Sequence, residues 1–476
     1  MENVESQARP QTAVRHRVRH PKLAMVSMLL GAFVGMFSET SLNIALPKLG
    51  EAFGMSAATL QWLVTGYMLV IGIIMPLSSI IAKWFSTRKI IIFALVIFIL
   101  GSIISALAPS FAVLLAGRMI QGIGTGLILP LMFAVAMQIF PPEKLGAVNG
   151  TMALVIMFAP AIGPTLTGVI LGVASWRWIF WFFLPFLVIA LLFAIFELEN
   201  VGELTKPHVD GLLIVESIIG FSGIVAGASL ASRYGWGSGS LIVGIVVLAA
   251  YARRQLHLAN PILNLQVLKN KDFTVGTLVV MLDFAIILSA MYLMPQYIQN
   301  GVGIAVALTG AIMLPGGIVN AVTSAVAGRM YDNIGAKKPA LVGLVIALVG
   351  ALMLAVASDH AKIGYIIAAH VILMIGALLA MSPAQTAALN ALSGREAGDG
   401  STILNTVQQV IGALATALAT SCLELGRHAA SGSAQARFTA GAHVGFYFTL
   451  ALIVIALVVA TQLKGRPVGH SIKLDK

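Results

Sequence analysis

Ser79-Ile80-Ile81-Ala82-Lys83-Trp84-Phe85-Ser86-Thr87-Arg88-Lys89 lies over Gly328-Arg329-Met330-Tyr331-Asp332-Asn333-Ile334-Gly335-Ala336-Lys337-Lys338 without a gap, 249 positions further along the chain. Each stretch ends on two bases and follows a long apolar run, at 60–82 and 305–327. A short motif repeated at one fixed offset marks a duplicated unit, and the apolar runs around it tell what is duplicated. Working outward gives fourteen runs: 22–47, 60–82, 90–108, 111–139, 145–172, 178–198, 212–231, 238–253, 273–297, 305–327, 338–357, 363–381, 401–425 and 443–463. A spanning helix takes about 20 apolar residues, and only 238–253 is clearly short. The runs are too long for strands and lack the alternation of a membrane barrel. The expected fold is an all-α polytopic bundle of fourteen transmembrane helices. It divides into two parallel six-helix halves with two helices inserted between them, an arrangement found in transporters. The expected units are a basic tail 1–21, a first bundle 22–199, an insert 200–260, a second bundle 261–463 and a tail 464–476.

Composition agrees. Of 476 residues 59% are hydrophobic and 10% charged, against about 25% charged in soluble domains. So few charges cannot coat a water-facing surface, which excludes a soluble enzyme, and the apolar excess excludes a disordered chain. The 29 Lys and Arg outnumber 18 Asp and Glu, for a net charge of +11. Sorted by the fourteen runs, 22 bases fall on the side of the N-terminus. Six fall opposite: Lys48, Arg177, Arg233, Lys362, Arg427 and Arg437. Arg118 alone lies inside a run. That bias predicts cytoplasmic termini in a cell membrane and assigns the basic excess to topology and anionic headgroups rather than to nucleic acid. The bases before Met25 lead into a run of full spanning length with no small-residue cleavage site, so it reads as a retained first helix. The single cysteine, Cys422, excludes an internal disulfide and a Cys-based metal cluster. No lysine is followed by Ser or Thr, so there is no phosphate-binding loop. No cofactor is expected.

Five stretches together resemble the major facilitator superfamily, and within it the fourteen-helix drug:proton antiporters of the EmrB/QacA and LmrB kind. Glu39-Thr40-Ser41-Leu42-Asn43-Ile44-Ala45-Leu46-Pro47 is similar to the acidic motif ending helix 1. Ser79–Lys89 is similar to the signature loop between helices 2 and 3, and Arg118-Met119-Ile120-Gln121-Gly122-Ile123-Gly124 to the helix 4 motif. Ala159-Pro160-Ala161-Ile162-Gly163-Pro164 with Gly168 resembles the antiporter motif of helix 5, and Trp176-Arg177-Trp178-Ile179-Phe180 the aromatic entry to helix 6. The resemblance implies a major facilitator fold and multidrug efflux. The chain departs from the pattern with Ser79 and Ser86 in place of Gly, Lys83 in place of Asp, and Ala159 in place of Gly. An electrostatic latch in these loops would fall to Asp332, with Lys83, Arg88, Gly122, Gly163 and Pro164 as the other conformational positions.

Ionisable groups inside spanning helices are costly and mark function by default. Glu39 lies about 8 residues from the outer end of its run and Arg118 about 7, each roughly 12 Å deep at 1.5 Å per residue. Two readings stand for them. In one, Arg118 is fixed structurally, by an ion pair or backbone carbonyls. In the other, Glu39 takes a proton or a cationic drug and Arg118 tunes it. Asp283 lies about 10 residues into its run, near the midplane, with no base in the same helix. It is the foremost proton-coupling candidate. Glu216 and Glu424 lie near run ends and read as interfacial. His370 is either a relay or, more in keeping with its surroundings, a core histidine. Gly122, Gly124 and Gly126 suit close helix packing, and the two prolines of 159–164 suit a bend that guides rocking.

Twenty Met and 22 Phe suit an adaptable lipophilic cavity, with Phe158, Met281, Met291, Tyr292 and Met294 as candidate linings. The function that follows is proton-coupled export of lipophilic, often cationic, drugs by alternating access, with small drugs, protons and the bilayer as partners and a monomer as working unit. Uptake of a polar nutrient on the same fold is the alternative, and a membrane-embedded lipid-modifying enzyme a third reading; neither finds the clustered polar groups it needs. Glu39→Gln and Asp283→Asn are each expected to abolish pH-driven efflux while the protein stays in the membrane. Full antiport in both variants, measured in vesicles, would remove these carboxyls from the coupling.

Overall fold

The computed structural model describes residues 20–140, 142–201, 204, 211–230, 235–258, 264–392 and 395–464. Among the described residues there are helices and no strands. The first six long helices are α1 (Pro21–Phe53), α2 (Trp62–Trp84), α3 (Thr87–Leu107), α4 (Phe111–Ile139), α5 (Pro142–Val173) and α6 (Trp178–Phe196). Then come α7 (Gly211–Leu230) and α8 (Gly235–His257). The last six are α9 (Lys271–Gln296), α10 (Val306–Ile334), α11 (Lys337–Ala355), α12 (Ile363–Asn390), α13 (Arg395–Ala429) and α14 (Ala434–Ala460). Thirteen are long and apolar enough to cross a membrane. In the remaining one, α5, the described apolar stretch is Phe158–Val173. Helices are the form such runs must take, because lipid offers no partner for backbone N–H and C=O groups.

The duplication survives in the helix ends. An offset of 249 carries Pro21, Trp84 and Thr87 to within one residue of Lys271, Ile334 and Lys337, where α9 starts, α10 ends and α11 starts. Most of each quoted stretch is therefore the last turns of a helix rather than a loop. The chain reverses at Phe85–Ser86 in the first copy and at Gly335, with φ of 74°, in the second. Helix α1 also outruns its expected end at 47 and continues through Pro47 to Phe53, closed by Gly54 at φ 64°, the left-handed cap that glycine adopts without strain.

Helices α1–α6 share one packed core, built around Phe37, Tyr67, Phe98, Met132 and Leu187. In the other group α9 packs against α12, α13 and α14, and α11 against α12. Side chains facing away from these contacts are apolar at helical spacing, as at Val342, Val345, Val349 and Leu352 on α11. In water such stripes would be sticky patches; on a multi-pass membrane protein they are the lipid face.

The two groups meet along two seams, α5 on α10 and α2 on α13. Lys464 Nζ donates to Asp272 Oδ2 at 2.8 Å, so the end of α14 and the start of α9 lie at one face, here called the termini face. The seams close toward the opposite, far face. There Gln299 donates to the Ile44 carbonyl at 3.2 Å, and the hydroxyls of Thr65 and Thr416 are 3.4 Å apart. The α5–α10 seam depends on absent side chains: a Cβ on Gly310 would sit 2.8 Å from the Pro164 carbonyl oxygen, and one on Gly168 2.9 Å from the Gly310 Cα. Thr165 then reaches the Gly310 carbonyl at 2.9 Å. Helices α7 and α8 form a hairpin tied by Glu216 and Arg254 at 3.1 Å, and α7 lies against both α2 and α13.

Gly310→Val is expected to pry this seam apart at the far face. In a Cys422→Ser, Thr165→Cys background, maleimide labelling of position 165, which lies in this seam, should rise several-fold. Unchanged labelling would mean that the glycines are not what lets the seam close.

Candidate functional site

Arg118 is fully buried near the far-face start of α4. Four of its five N–H donors are committed. Nε donates to the Leu63 carbonyl at 3.2 Å and Nη2 to the Ser38 carbonyl at 2.9 Å. Nη1 donates to Gln121 Oε1 at 2.7 Å and to the Ser38 hydroxyl. The guanidinium lies 4.1 Å from the centre of the Tyr67 ring, within cation–π range. The network continues outward. Gln121 Nε2 donates to Ser102 Oγ at 2.8 Å, and Tyr67 donates to the Gly35 carbonyl at 2.8 Å beside the Thr125 hydroxyl. It needs α3 and α4 nearly in backbone contact, which Gly101 and Gly117 provide: a Cβ on Gly101 would meet the Gly117 carbonyl at 2.7 Å. One buried charge thereby gathers α1, α2, α3 and α4.

Glu39 follows Ser38 on α1 and is equally buried, yet no oxygen of its carboxyl lies within ion-pair distance of Arg118 among the described contacts. The Gln409 side chain on α13, from the other group, lies near it, and its Oε2 has no hydrogen-bond partner. Asp283 sits midway along α9, fully buried, with neither carboxyl oxygen hydrogen-bonded. Gly412, three residues after Gln409, is set against Phe284 and Leu288. Helix α9, which carries Asp283, thus packs on α13 one turn from Gln409. An ionised carboxylate without donors or a counter-charge is very costly in such a place, so the arrangement suits groups that bind something, a proton or a cation.

The other expected residues are distributed as follows. Met291, Tyr292 and Met294 are buried in the core along α9, Met281 is half-buried and Phe158 is exposed on α5. A Cβ on Gly122 would touch the Tyr67 carbonyl, and one on Gly163 the Thr40 hydroxyl, while the Pro164 carbonyl faces Gly310. Lys83 and Arg88 are exposed, and Arg88 donates to the Ile195 carbonyl, fastening α3 to the end of α6. The side chain of Asp332 lies outside the described residues. Glu216 is held by Arg254, and Glu424 pairs with Arg427 at 3.4 Å and His428 at 3.5 Å. His370 is buried with both ring nitrogens unpartnered, its ring against Gly316. An open groove of about 840 Å³ runs along α6 past Trp178, Trp181 and Pro185, with Arg177 as its ionisable group.

Ser38, Tyr67, Ser102 and Gln121 carry the site's polar contacts without standing out in the sequence. The spacing of Arg118 and Gln121, one helical turn apart, was a usable signal for one of them. The cross-chain partners had none.

The description "Major Facilitator Superfamily" matches residues 28–417. The chain is 44% identical over 461 residues to "Lincomycin resistance protein LmrB" of Bacillus subtilis (strain 168), covering 94% of this chain and 96% of that protein. It is 27% identical over 400 residues to "Multidrug resistance protein B homolog" of Mycobacterium tuberculosis (strain CDC 1551 / Oshkosh), covering 82% and 74%. Among solved structures, a POT family transporter in complex with 5-aminolevulinic acid superposes with a TM-score of 0.70 at 14% identity, covering 95% and 98%. A bacterial homologue of the human lysosomal transporter Spinster, inward-facing and unoccupied, superposes with a TM-score of 0.68 at 13% identity, covering 93% and 96%. These two likenesses are of fold alone.

Arg118→Lys keeps the charge but cannot fork between the Leu63 and Ser38 carbonyls while stacking on Tyr67. It is expected to cost about 2 kcal/mol, from buried acceptors left unpaired, and to lower the unfolding midpoint by a few degrees in detergent. A midpoint equal to that of the parent would remove the network from the fold's stability.

Proposed function

The chain belongs to the Major Facilitator Superfamily, and from that premise we propose that it is a proton-coupled exporter of lipophilic, often cationic drugs, lincomycin among them. The observation that carries the coupling is Asp283, a buried carboxyl at mid-helix with both oxygens unpartnered. The near-full-length similarity to a protein named for lincomycin resistance supports the cargo. The protein is placed in the cell membrane with both termini cytoplasmic, on the strength of the 22-to-6 distribution of bases, and acts as a monomer.

In this reading the units 22–199 and 261–463 rock about a site between them, with 200–260 as an accessory hairpin. Protons arriving from the far face load Asp283 and Glu39, and the loaded carboxyls no longer demand a counter-charge. Opening to the cytoplasm lets the protons leave, and the carboxylates then accept a cationic drug. A ligand moves such an equilibrium only by binding one state better than the other, so proton and drug act through the same acids. Arg118, saturated by its own partners, fixes the helices that carry Glu39. Gly122, Gly163 and Pro164 let those helices approach, and Phe158, Met281, Met291, Tyr292 and Met294 supply apolar contact as the seams open. Uptake of a polar nutrient is disfavoured, because among the described buried residues the charged ones are few, Glu39, Arg118 and Asp283.

Everted membrane vesicles containing the protein, given an imposed pH gradient, are expected to accumulate radiolabelled lincomycin and to lose that accumulation on adding a protonophore. Accumulation indifferent to the protonophore would make the protein a facilitator, and none of either kind would remove lincomycin from its cargo.

A further inference from the structure

The stretch Trp176-Arg177-Trp178-Ile179-Phe180, which leads into α6, has no task in the coupling described above. Its inward residues are ordinary core: Trp176, Ile179 and Phe180 are buried, and Trp176 packs on Phe53 at the end of α1 with ring centres 5.6 Å apart. Its outward side is different. Trp178 is exposed and Trp181, one turn on, is half-buried. With Leu184, Pro185, Val188 and Ile189 they line the open groove of about 840 Å³. The groove spans an interruption of α6, which is helical over Trp178–Trp181 and again over Leu184–Phe196, with Pro185 in the first turn of the second part. Proline is tolerated there because first-turn N–H groups have no intrahelical partner to lose.

Arg177 stands at the far-face end of this groove. Its Nη2 donates to the Ala108 carbonyl, just past the end of α3, at 3.0 Å, and its guanidinium lies 4.3 Å from the centre of the Trp176 ring. Two contacts thus fix the fork in place. No described ion pair takes up its charge, and its remaining side-chain N–H groups meet no acceptor among the described contacts. Other bases of that face are placed differently: Lys48 donates to the Leu171 carbonyl, Arg427 pairs with Glu424, and Lys362 and Arg437 are exposed.

Position and charge select the occupant. The groove opens on the apolar outer side of α6, where Val188 and Ile189 are each 44% exposed, so whatever fills it comes from the bilayer. From Trp178 to Ile189 the helix rises about 16 Å at about 1.5 Å per residue, half of the roughly 30 Å hydrocarbon core. One acyl chain of the far leaflet covers that distance. The fixed positive fork repels a cationic drug and suits a phosphate, to which a guanidinium gives paired, charge-assisted hydrogen bonds. A zwitterionic headgroup would bring a second cation beside Arg177; an anionic one would neutralise it. Trp178 and Trp181 supply the indole rings that favour the boundary between headgroup and chain.

We propose that this groove binds one anionic phospholipid of the far leaflet, its phosphate on Arg177 and an acyl chain along Trp181, Val188 and Ile189. The site is independent of the roles proposed for Glu39 and Asp283.

The test is native mass spectrometry of the full chain in detergent, after incubation with equal amounts of phosphatidylglycerol and phosphatidylcholine bearing the same chains. One phosphatidylglycerol should stay bound at several-fold the occupancy of phosphatidylcholine. Arg177→Gln should abolish that preference. Val188→Trp, which fills the groove and leaves Arg177 in place, should lower retention of both lipids several-fold. Arg437→Gln, which removes an exposed base from the same face, should keep the parent's pattern. Equal retention of the two lipids by the parent would overturn the proposal, as would the parent's pattern in whichever of the Arg177 and Val188 variants folds. Loss of the preference in Arg437→Gln would overturn it too, by making the charge of the whole face responsible. Displacement of the bound phosphatidylglycerol by millimolar inorganic phosphate would likewise overturn it, leaving Arg177 an anion site without an acyl chain.

Discussion

A guanidinium with no water around it must find its acceptors in the protein, and that need organises the first group of helices. Desolvating such a charge costs several kcal/mol even after relaxation. Arg118 recovers this from two backbone carbonyls, a serine hydroxyl, a glutamine and an aromatic face. The Leu63 carbonyl accepts through its second lone pair, where the first turns of α2 pack against α4. Each partner lies on a different helix or at a different height, so the four helices cannot slide past one another without stranding a donor. Rigidity here is a condition for rocking elsewhere, because a group of helices that deformed internally would not transmit motion from its acid to its seam.

The same saturation decides what Glu39 is free to do. An acid and a base neighbouring one another in low dielectric ordinarily pair, and a pair locked in that way has little left for a ligand. Here the donors of Arg118 are occupied by Ser38, the residue immediately before Glu39. The helical turn of about 100° per residue then aims the next side chain away, across the seam toward α13. The contacts of Arg118 are those of the fixed-arginine reading, and they leave Glu39 without an ion pair to it and with an unsatisfied oxygen.

How far the sequence reveals this depends on the kind of information involved. Helix number, the duplication at an offset of 249 and the small-residue crossings are periodic properties of a single run, and they are legible along the chain. So are the positions of isolated charges, since an ionisable residue in an apolar stretch stands out against its neighbours. Helix ends are less so: Pro47 reads as a terminator, yet α1 continues to Phe53, because losing one backbone donor at a membrane surface costs little when water or a neighbouring side chain takes over. Relative depth misleads for the same reason. Counted from the end of its helix, Glu39 is much deeper than Arg118, although Ser38 and Arg118 touch. The partners of Arg118 were invisible because only the three-dimensional register of α1 and α2 against α4 brings the Ser38 and Leu63 carbonyls to its guanidinium.

That register also bears on how the two acids act together. Glu39 and Asp283 are not equivalents in the duplication, since the offset carries Glu39 to Leu288, five residues beyond Asp283. The repeat has preserved the scaffold and broken its chemical symmetry. Glu39 has an arginine and an amide side chain nearby, whereas neither oxygen of Asp283 has a hydrogen-bond partner. Two acids in such unlike surroundings hold protons with unlike affinity, whichever is the tighter. Two unlike sites can be filled in a definite order, and an order of filling suits a transporter that binds proton and drug alternately rather than at random.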